Sequence, residues 1–424
     1  MVQKAEEEND MPAFLTHWRV LIETARRSQD AGNDLGSLII DASALRRRAQ
    51  GWSTPPQTPP AGAVWDTGPL PLIDFRYPGS DISAMAYLGA LMPDATYFQH
   101  GNFSKKISDY QQHNRLTAKS AKTDTLLWAD LLHMNRSGDV LLAFLEHIAD
   151  IPSPALRSQA LAFAMGYLSH IATDIALNPY INAVANAYDE HAMPGLFAPF
   201  GKHFYVELCL DEYIASTYFG RPLYYWTRQY WGQYIEPVAS SCLVPGSLPA
   251  QVLHLLSMAV EGIYGLSETQ SSQFLQDSLV GIQQLRRYLA GHGAFRWFIY
   301  NILLRQRKDA NPIVANIAAS QHDMHALSFE QVITYAFHLS EHLCRQAIAY
   351  YTALRNTSAS ASLRNQRRTA LRDDLRNWNL ANGYTTDITF DEQVTLHLLH
   401  NWVHFARLWD NESQRKPVAQ MHGL

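Results

Sequence analysis

Apolar residues recur at intervals of three and four positions along most of this chain. In the first predicted helix, for example, Phe14, Trp18, Leu21 and Ala25 share one face, as a period of 3.6 residues requires. Almost nothing in the first 235 residues alternates with the two-residue period of a strand. The pattern therefore predicts an all-α fold, a multi-helix bundle. The predicted helices span residues 11–27, 82–91, 139–148, 155–177, 203–218 and 393–408, with further long helices between residues 250 and 351.

Prolines set several of the predicted helix ends, because proline lacks an amide hydrogen and its ring clashes with the preceding turn. The helix of residues 82–91 is predicted to stop at Met92-Pro93-Asp94, which presents Asp94 at its end. The helix of residues 155–177 is predicted to stop at Asn178-Pro179. Residues 51–62 are too rich in proline for a regular element and are predicted to form a loop.

Two histidines are each followed by a carboxylate four positions later, within predicted helices: His170 by Asp174, and His203 by Glu207. This spacing places both side chains of a pair on one helix face, where they can bind one cation. A single pair of this kind is more often a surface hydrogen bond. Here both pairs lie among apolar residues, where an acid is expected to be paired or bound to metal. The two pairs therefore favour a metal site between helices.

Composition and charge narrow the classes of function that this chain can have. The 424 residues carry a formal net charge of −5, and the basic residues are scattered, so nucleic-acid binding is disfavoured. The three cysteines are far apart and form neither a disulfide framework nor a thiolate metal site. We expect no signal peptide from the acidic, polar start, and no transmembrane helix, because the longest uncharged stretches are short and interrupted by polar residues.

Two other sequence features have competing interpretations. Residues 338–342 read His-Leu-Ser-Glu-His, the H-x-x-E-H pattern of some zinc peptidases, but chance matches are common in a chain with 18 histidines. A polar helix face is the favoured interpretation. The aromatic segment 224–231 is predicted to pack against the rest of the chain rather than to contact a membrane surface. The sequence contains no glycine-rich phosphate loop and no nucleophile elbow.

Five blocks of sequence, taken in order, resemble the bacterial zinc-dependent phospholipase C family, and in particular its phosphatidylcholine-hydrolysing, Pseudomonas-type members. The resemblance covers roughly residues 11 to 220. It implies a helical bundle with a cluster of zinc ions that cleaves a phospholipid to diacylglycerol and a phosphorylated headgroup. The blocks are Thr16-His17-Trp18, residues 87–94 (YLGALMPD), residues 128–133 (WADLLH), Gly166 to Asp174 (GYLSHIATD) and His203 to Glu207 (HFYVE).

Carried over block by block, the resemblance implies a set of zinc ligands, and it implies that Asp94 is either a further ligand or the base beside the attacking water. Relatives commonly carry His-Pro where this chain has Asn178-Pro179, and an amide oxygen is a weak zinc ligand. We therefore predict that His191 completes the site of His203 and Glu207. The implied ligands are His17, His133, His170, Asp174, His203 and Glu207.

The number of zinc ions is expected to be two or three. In secreted relatives the free amino terminus helps to hold the third ion, whereas here His17 lies 16 residues from Met1. We expect residues 1–235 to form the phospholipase C-like catalytic domain and residues 236–424 a helical C-terminal region packed on it. The expected substrate is a phospholipid, with phosphatidylcholine as the expected member of that class, reached by transient contact with a membrane surface. A related zinc-dependent nuclease is the alternative, and the expected location is the cytoplasm or outside the cell by a signal-independent route.

Overall fold

The computed structural model describes residues 14–30, 81–98, 132–133, 136–187, 201–218, 223, 231–232, 235–290, 329–375, 377–380 and 384–385. Within these ranges the all-α prediction is confirmed, since the only strands are the antiparallel two-residue pair β1 (Trp378–Asn379) and β2 (Tyr384–Thr385). The helices are α1 (Phe14–Asp30), α2 (Asp81–Gly89), α3 (Met92–Ala95), α4 (Ser137–Asp150), α5 (Pro154–Ala187), α6 (Gly201–Thr217), α7 (Glu236–Ser241), α8 (Leu248–Tyr264), α9 (Glu268–Ala290), α10 (Phe329–Arg355) and α11 (Ala361–Leu375). The predicted loop of residues 51–62 and the predicted helix of residues 393–408 lie outside the described ranges.

Helix α5 is the central element, and α1, α2, α4, α6, α8 and α10 all pack against it. It is apolar around most of its circumference, which is typical of a helix buried on all sides. Its predicted end at Asn178-Pro179 is wrong, because the helix continues through Pro179 to Ala187. A proline inside a helix costs about 3 kcal/mol. Packing of α5 against its neighbours outweighs that cost.

The 34-residue length of α5 also corrects the expectation that no apolar stretch could span a bilayer. The part from Pro154 to Asn182 is long and apolar enough to do so by length and composition, but its most apolar window is entirely buried inside the fold. A core helix passes the same test. The burial and the polar residues His170 and Asp174 within this helix identify it as a core helix.

The second predicted proline stop is only partly correct. Helix α2 ends at Gly89, earlier than the predicted end at residue 91. Pro93 then lies in the first turn of the short helix α3, and a 3₁₀ turn follows at Thr96–Phe98. Proline is tolerated in the first helical turn because its missing amide hydrogen would have no partner there. Asp94 therefore sits inside a separate, buried helical turn rather than at the end of α2.

Two glycines allow α2 and α5 to touch backbone to backbone. A Cβ atom at Gly89 would lie 2.1 Å from the carbonyl oxygen of Phe163, and one at Gly166 would lie 1.9 Å from the carbonyl oxygen of Ala86. Any side chain at either position would force the helices apart. This close crossing brings the residues after α2 next to the metal-site half of α5.

The C-terminal helices share one core with the earlier part of the chain. Helix α10 packs on α5 and α1, and its buried residues Phe337, Leu343 and Ala347 belong to the same apolar cluster as Phe163 and Leu168 of α5. Helix α11 packs on α10 and α4, with most of its residues exposed. The division at residue 235 remains a prediction.

Candidate metal centre

Four buried side chains from three parts of the chain place their ligand atoms within 4.8 Å of one another. They are Asp94 of α3, His133, and His170 and Asp174 of α5. His133 Nε2 lies 3.0 Å from Asp94 Oδ1, and His170 Nε2 lies 2.9 Å from Asp174 Oδ2. Ligand atoms around a tetrahedral zinc ion are about 3.4 Å apart when the bonds are about 2.1 Å long. The cluster therefore has the dimensions of a zinc site.

His17 of α1 joins this cluster from the opposite end of the sequence. Its Nε2 lies 3.3 Å from Asp94 Oδ2 and 3.5 Å from Asp174 Oδ1, and its ring stacks on His170 with the centroids 4.2 Å apart. Asp174 thus turns one carboxylate oxygen toward His17 and the other toward His170. A carboxylate in this position can contact two different cations.

The second predicted pair forms a separate contact on α6. His203 Nε2 lies 3.1 Å from Glu207 Oε1, and both side chains are buried. The negative charge of Glu207 is close enough to contribute to the raised pKa of His17. The α6 pair therefore borders the first cluster, although the two groups are held by different helices.

Hydrogen bonds to the second ring nitrogen orient two of the histidines. The Nδ1–H of His170 donates to the carbonyl oxygen of Ala90 at 3.0 Å, because a carbonyl can only accept. His203 Nδ1 lies 2.7 Å from the side-chain oxygen of Asn182 and donates to it in the same way. In the neutral imidazole this leaves Nε2 unprotonated, and Nε2 is the atom that faces the carboxylates. Such an arrangement is typical of metal-binding histidines.

The contact between His170 and Asp174 is one that a bound cation would stabilise. With the proton on Nδ1, the 2.9 Å contact brings two hydrogen-bond acceptors together, and neither His170 Nε2 nor Asp174 Oδ2 has a hydrogen-bond partner among the described residues. Acceptors this close repel each other unless a proton or metal ion lies between them. Imidazole nitrogen and carboxylate oxygen are donor types that suit zinc. The residues present therefore fit a zinc ion.

The pKa values of the metal-free cluster lead to the same conclusion. Burial would lower the pKa of His17, but the hydrogen bond with Asp94 and the charges of Asp174, Asp94 and Glu207 outweigh it and raise that pKa. Burial would raise the pKa of Asp94, but attraction to His170 and hydrogen bonds with His133 and His17 hold it well below its usual range. Several buried carboxylates thus concentrate negative charge where a positive charge is stabilised.

Residues on both sides of His17 fix its position, and the sequence did not predict how. Thr16 donates its backbone N–H and its hydroxyl to Asp211 Oδ1 of α6, at 2.9 Å in each case. The backbone N–H of Leu15 donates to the other carboxylate oxygen at 3.1 Å. Trp18 donates its indole N–H to the carbonyl oxygen of Tyr87 at 3.3 Å. Asp211 lies four residues after Glu207, and that spacing was the available signal for its role.

Trp231 supports the same helix. It is buried, and its ring stacks on Trp18 with the centroids 5.8 Å apart. This residue of the aromatic segment therefore packs against the rest of the chain rather than facing a membrane surface. Residues 224–230 lie outside the described ranges.

The structure describes only one of the two residues considered for the site of His203 and Glu207. His191 lies outside the described residues, so its proposed role as a ligand stays a prediction. Asn178 instead donates its side-chain N–H to the carbonyl oxygen of Leu380 at 2.6 Å. Its role in the fold is therefore a hydrogen bond to the C-terminal region.

The residues of the H-x-x-E-H motif contact three different partners. His338 Nε2 lies 3.0 Å from an Arg27 nitrogen, and His342 Nε2 lies 2.7 Å from Asp374 Oδ2. Glu341 forms an ion pair with Arg345. These contacts fit the favoured interpretation, in which the motif is a polar face of a helix.

Comparison with known proteins adds independent support. The family model described as zinc dependent phospholipase C matches residues 70–243. The matched segment contains Asp94, His133 and both histidine–carboxylate pairs, whereas His17 precedes it. Neither the curated proteins nor the solved structures gave a match. The family resemblance seen in the sequence is thus confirmed. Residues 70–243 are therefore similar to the zinc-dependent phospholipase C family, which is a family of phospholipase C hydrolases.

Proposed function

We propose that this enzyme hydrolyses phosphatidylcholine to diacylglycerol and phosphocholine at the metal centre. Zinc-dependent phospholipase C activity follows from the family match and the buried cluster of Asp and His residues. The observation that carries the proposal is the convergence of histidine Nε2 atoms and carboxylate oxygens at 2.9 to 3.5 Å in one buried site. The choline headgroup is inferred from the sequence resemblance.

Zinc bound in this cluster would neutralise charge on the phosphodiester and lower the pKa of a nearby water. His133, His170 and Asp174 would hold it. In the reaction a water oxygen bonds to phosphorus, the bond from phosphorus to the diacylglycerol oxygen breaks, and that oxygen takes up a proton. Asp94 is held ionised by His170, His133 and His17, so it can accept a hydrogen bond from water and orient it, or act as a ligand itself.

We further propose that at least two zinc ions bind. The group of Asp94, His133, His170 and Asp174 is sufficient for one tetrahedral site. His203 and Glu207 lie on another helix and supply two ligands of a second site, with His191 as the proposed third. His17 and Asp174 Oδ1, the carboxylate oxygen that faces it, would contribute to a third site.

The test combines metal analysis with a comparison of the cleavage rates of two classes of substrate. The purified protein is expected to contain two or three zinc ions per chain and to release phosphocholine from phosphatidylcholine vesicles. A chelator should abolish the release, and added zinc should restore it. Full activity of the metal-free protein would contradict the proposal. Faster cleavage of single-stranded nucleic acid than of any phospholipid would instead favour the nuclease alternative.

A further inference from the structure

A short segment far beyond the family match contacts the metal centre directly. The backbone N–H of Leu380 donates to the carbonyl oxygen of His133 at 2.7 Å. The carbonyl oxygen of the same Leu380 accepts the side-chain N–H of Asn178 at 2.6 Å. Leu380 and Asn178 are both buried. One residue of the C-terminal region therefore connects a cluster residue with the helix that carries Asp174.

The residues just before Leu380 contact the start of α4. Asn377 accepts the backbone N–H of Asp139 at 3.0 Å through its side-chain oxygen, and its side-chain nitrogen donates to Asp139 Oδ2 at 3.2 Å. Asn377 has a φ of 48°, a left-handed conformation that asparagine tolerates better than most residues. Leu375 packs so close to Gly138 that a Cβ there would lie 2.9 Å from Leu375 Cβ. The segment therefore contacts both His133 and the start of α4.

We infer that Asn178 is a positioning residue, which holds His133 in the metal centre through Leu380. The inference rests on the proposed zinc-dependent function. Asn178 lies four residues after Asp174, on the same face of α5, so its hydrogen bond to Leu380 starts close to the cluster. Leu380 then fixes the backbone of His133, whose Nε2 lies 3.0 Å from Asp94. Together these bonds set the distance between ligands from two separate parts of the chain.

The choice of asparagine follows from what the position requires. The carbonyl oxygen of Leu380 is buried with its residue and needs a donor, and the asparagine amide supplies one. An ionised aspartate is only an acceptor, so it would repel the Leu380 carbonyl instead of binding it. Groups that orient metal ligands from behind typically change metal affinity by about 10-fold to 100-fold when they are removed.

Asn178→Asp distinguishes a positioning residue from a ligand by the sign of its effect. If Asn178 positions His133, zinc affinity should fall by about 10-fold to 100-fold. If Asn178 were itself a zinc ligand, the carboxylate would bind zinc better than the amide, and the affinity should rise. Asn178→Ala removes the donor without adding repulsion, so its loss of affinity should be smaller than that of Asn178→Asp. The matched control is Asn365→Asp on the exposed face of α11, which should leave zinc affinity unchanged.

The measurements are the zinc dissociation constant by chelator competition and the visible absorption of the Co²⁺-substituted protein, which reports ligand geometry. A loss of affinity with a changed Co²⁺ spectrum, in a variant whose circular dichroism matches the wild type, supports the proposal. Unchanged affinity and spectrum in Asn178→Asp would overturn it, and so would tighter binding. Should Asn178→Asp not fold, Asn178→Ala gives the test, with an expected loss of at least several-fold. Wild-type protein that binds no zinc would instead refute the proposed function.

Discussion

Replacing Gly166 by alanine should separate α2 from α5, the helix that carries His170 and Asp174. The added Cβ would lie 1.9 Å from the carbonyl oxygen of Ala86 and 2.7 Å from the amide nitrogen of Ala90. Both are backbone atoms, so no side-chain rotation can relieve the contact. An ordinary contact of this kind is about 3.4 Å, so α2 and α5 must move apart by about 1.5 Å.

The consequences reach the metal centre through Ala90. Its carbonyl oxygen accepts the Nδ1–H of His170 at 3.0 Å, and a shift of about 1.5 Å would break that hydrogen bond. Overpacking of a core costs about 1 to 3 kcal/mol, and a clash between backbones belongs at the upper end of that range. The higher helix propensity of alanine returns at most about 1 kcal/mol. Loss of the bond that orients His170 should also weaken zinc binding by about 10-fold or more.

Gly262→Ala is the matched control, because Gly262 also lies within a helix but a Cβ there would meet no heavy atom within 4 Å. It should stabilise the protein by up to about 1 kcal/mol and leave zinc binding unchanged. Urea unfolding of the two zinc-free variants and zinc competition with a chelator measure both effects. The reasoning is refuted if Gly166→Ala unfolds at the same urea concentration as the wild type and keeps its zinc affinity.

Two further substitutions test the site and its surroundings. His170→Ala should lower activity at least about a hundredfold and release zinc. Glu341→Ala loses only a partly exposed ion pair, so it should change turnover by less than about twofold. Loss of catalysis in a folded Glu341→Ala variant would revive the peptidase interpretation. Burial raises the pKa of Asp211 to about 7, although the hydrogen bonds from Leu15 and Thr16 act to lower it. In the zinc-free fold Asp211 therefore keeps a proton that the unfolded chain releases above about pH 4. The stabilisation that this proton gives the fold is complete below about pH 4. It falls by about 1.4 kcal/mol per pH unit as the pH rises to about 7. Asp211→Asn should therefore show a flatter dependence of urea unfolding on pH over this window, and identical slopes would contradict the pKa.

The sequence by itself determined the helical class and the two histidine–carboxylate pairs. Both depend on local geometry, because a period of 3.6 residues fixes which side chains share a face. His170 and Asp174 thus lie 2.9 Å apart, and His203 and Glu207 lie 3.1 Å apart, once their helices form. The family resemblance was also readable, since its blocks are short runs whose residue order needs no structure.

Only the tertiary structure decided which distant residues meet. His17 reaches Asp174 because α1 packs on α5 and α6, and its anchor Asp211 is distant in sequence. The same packing lets α5 continue through Pro179, where local preference alone predicts a stop. It also places Leu380 between Asn178 and His133. Long-range packing energies of this kind depend on the whole core, so periodicity and propensity within a single helix could not predict them.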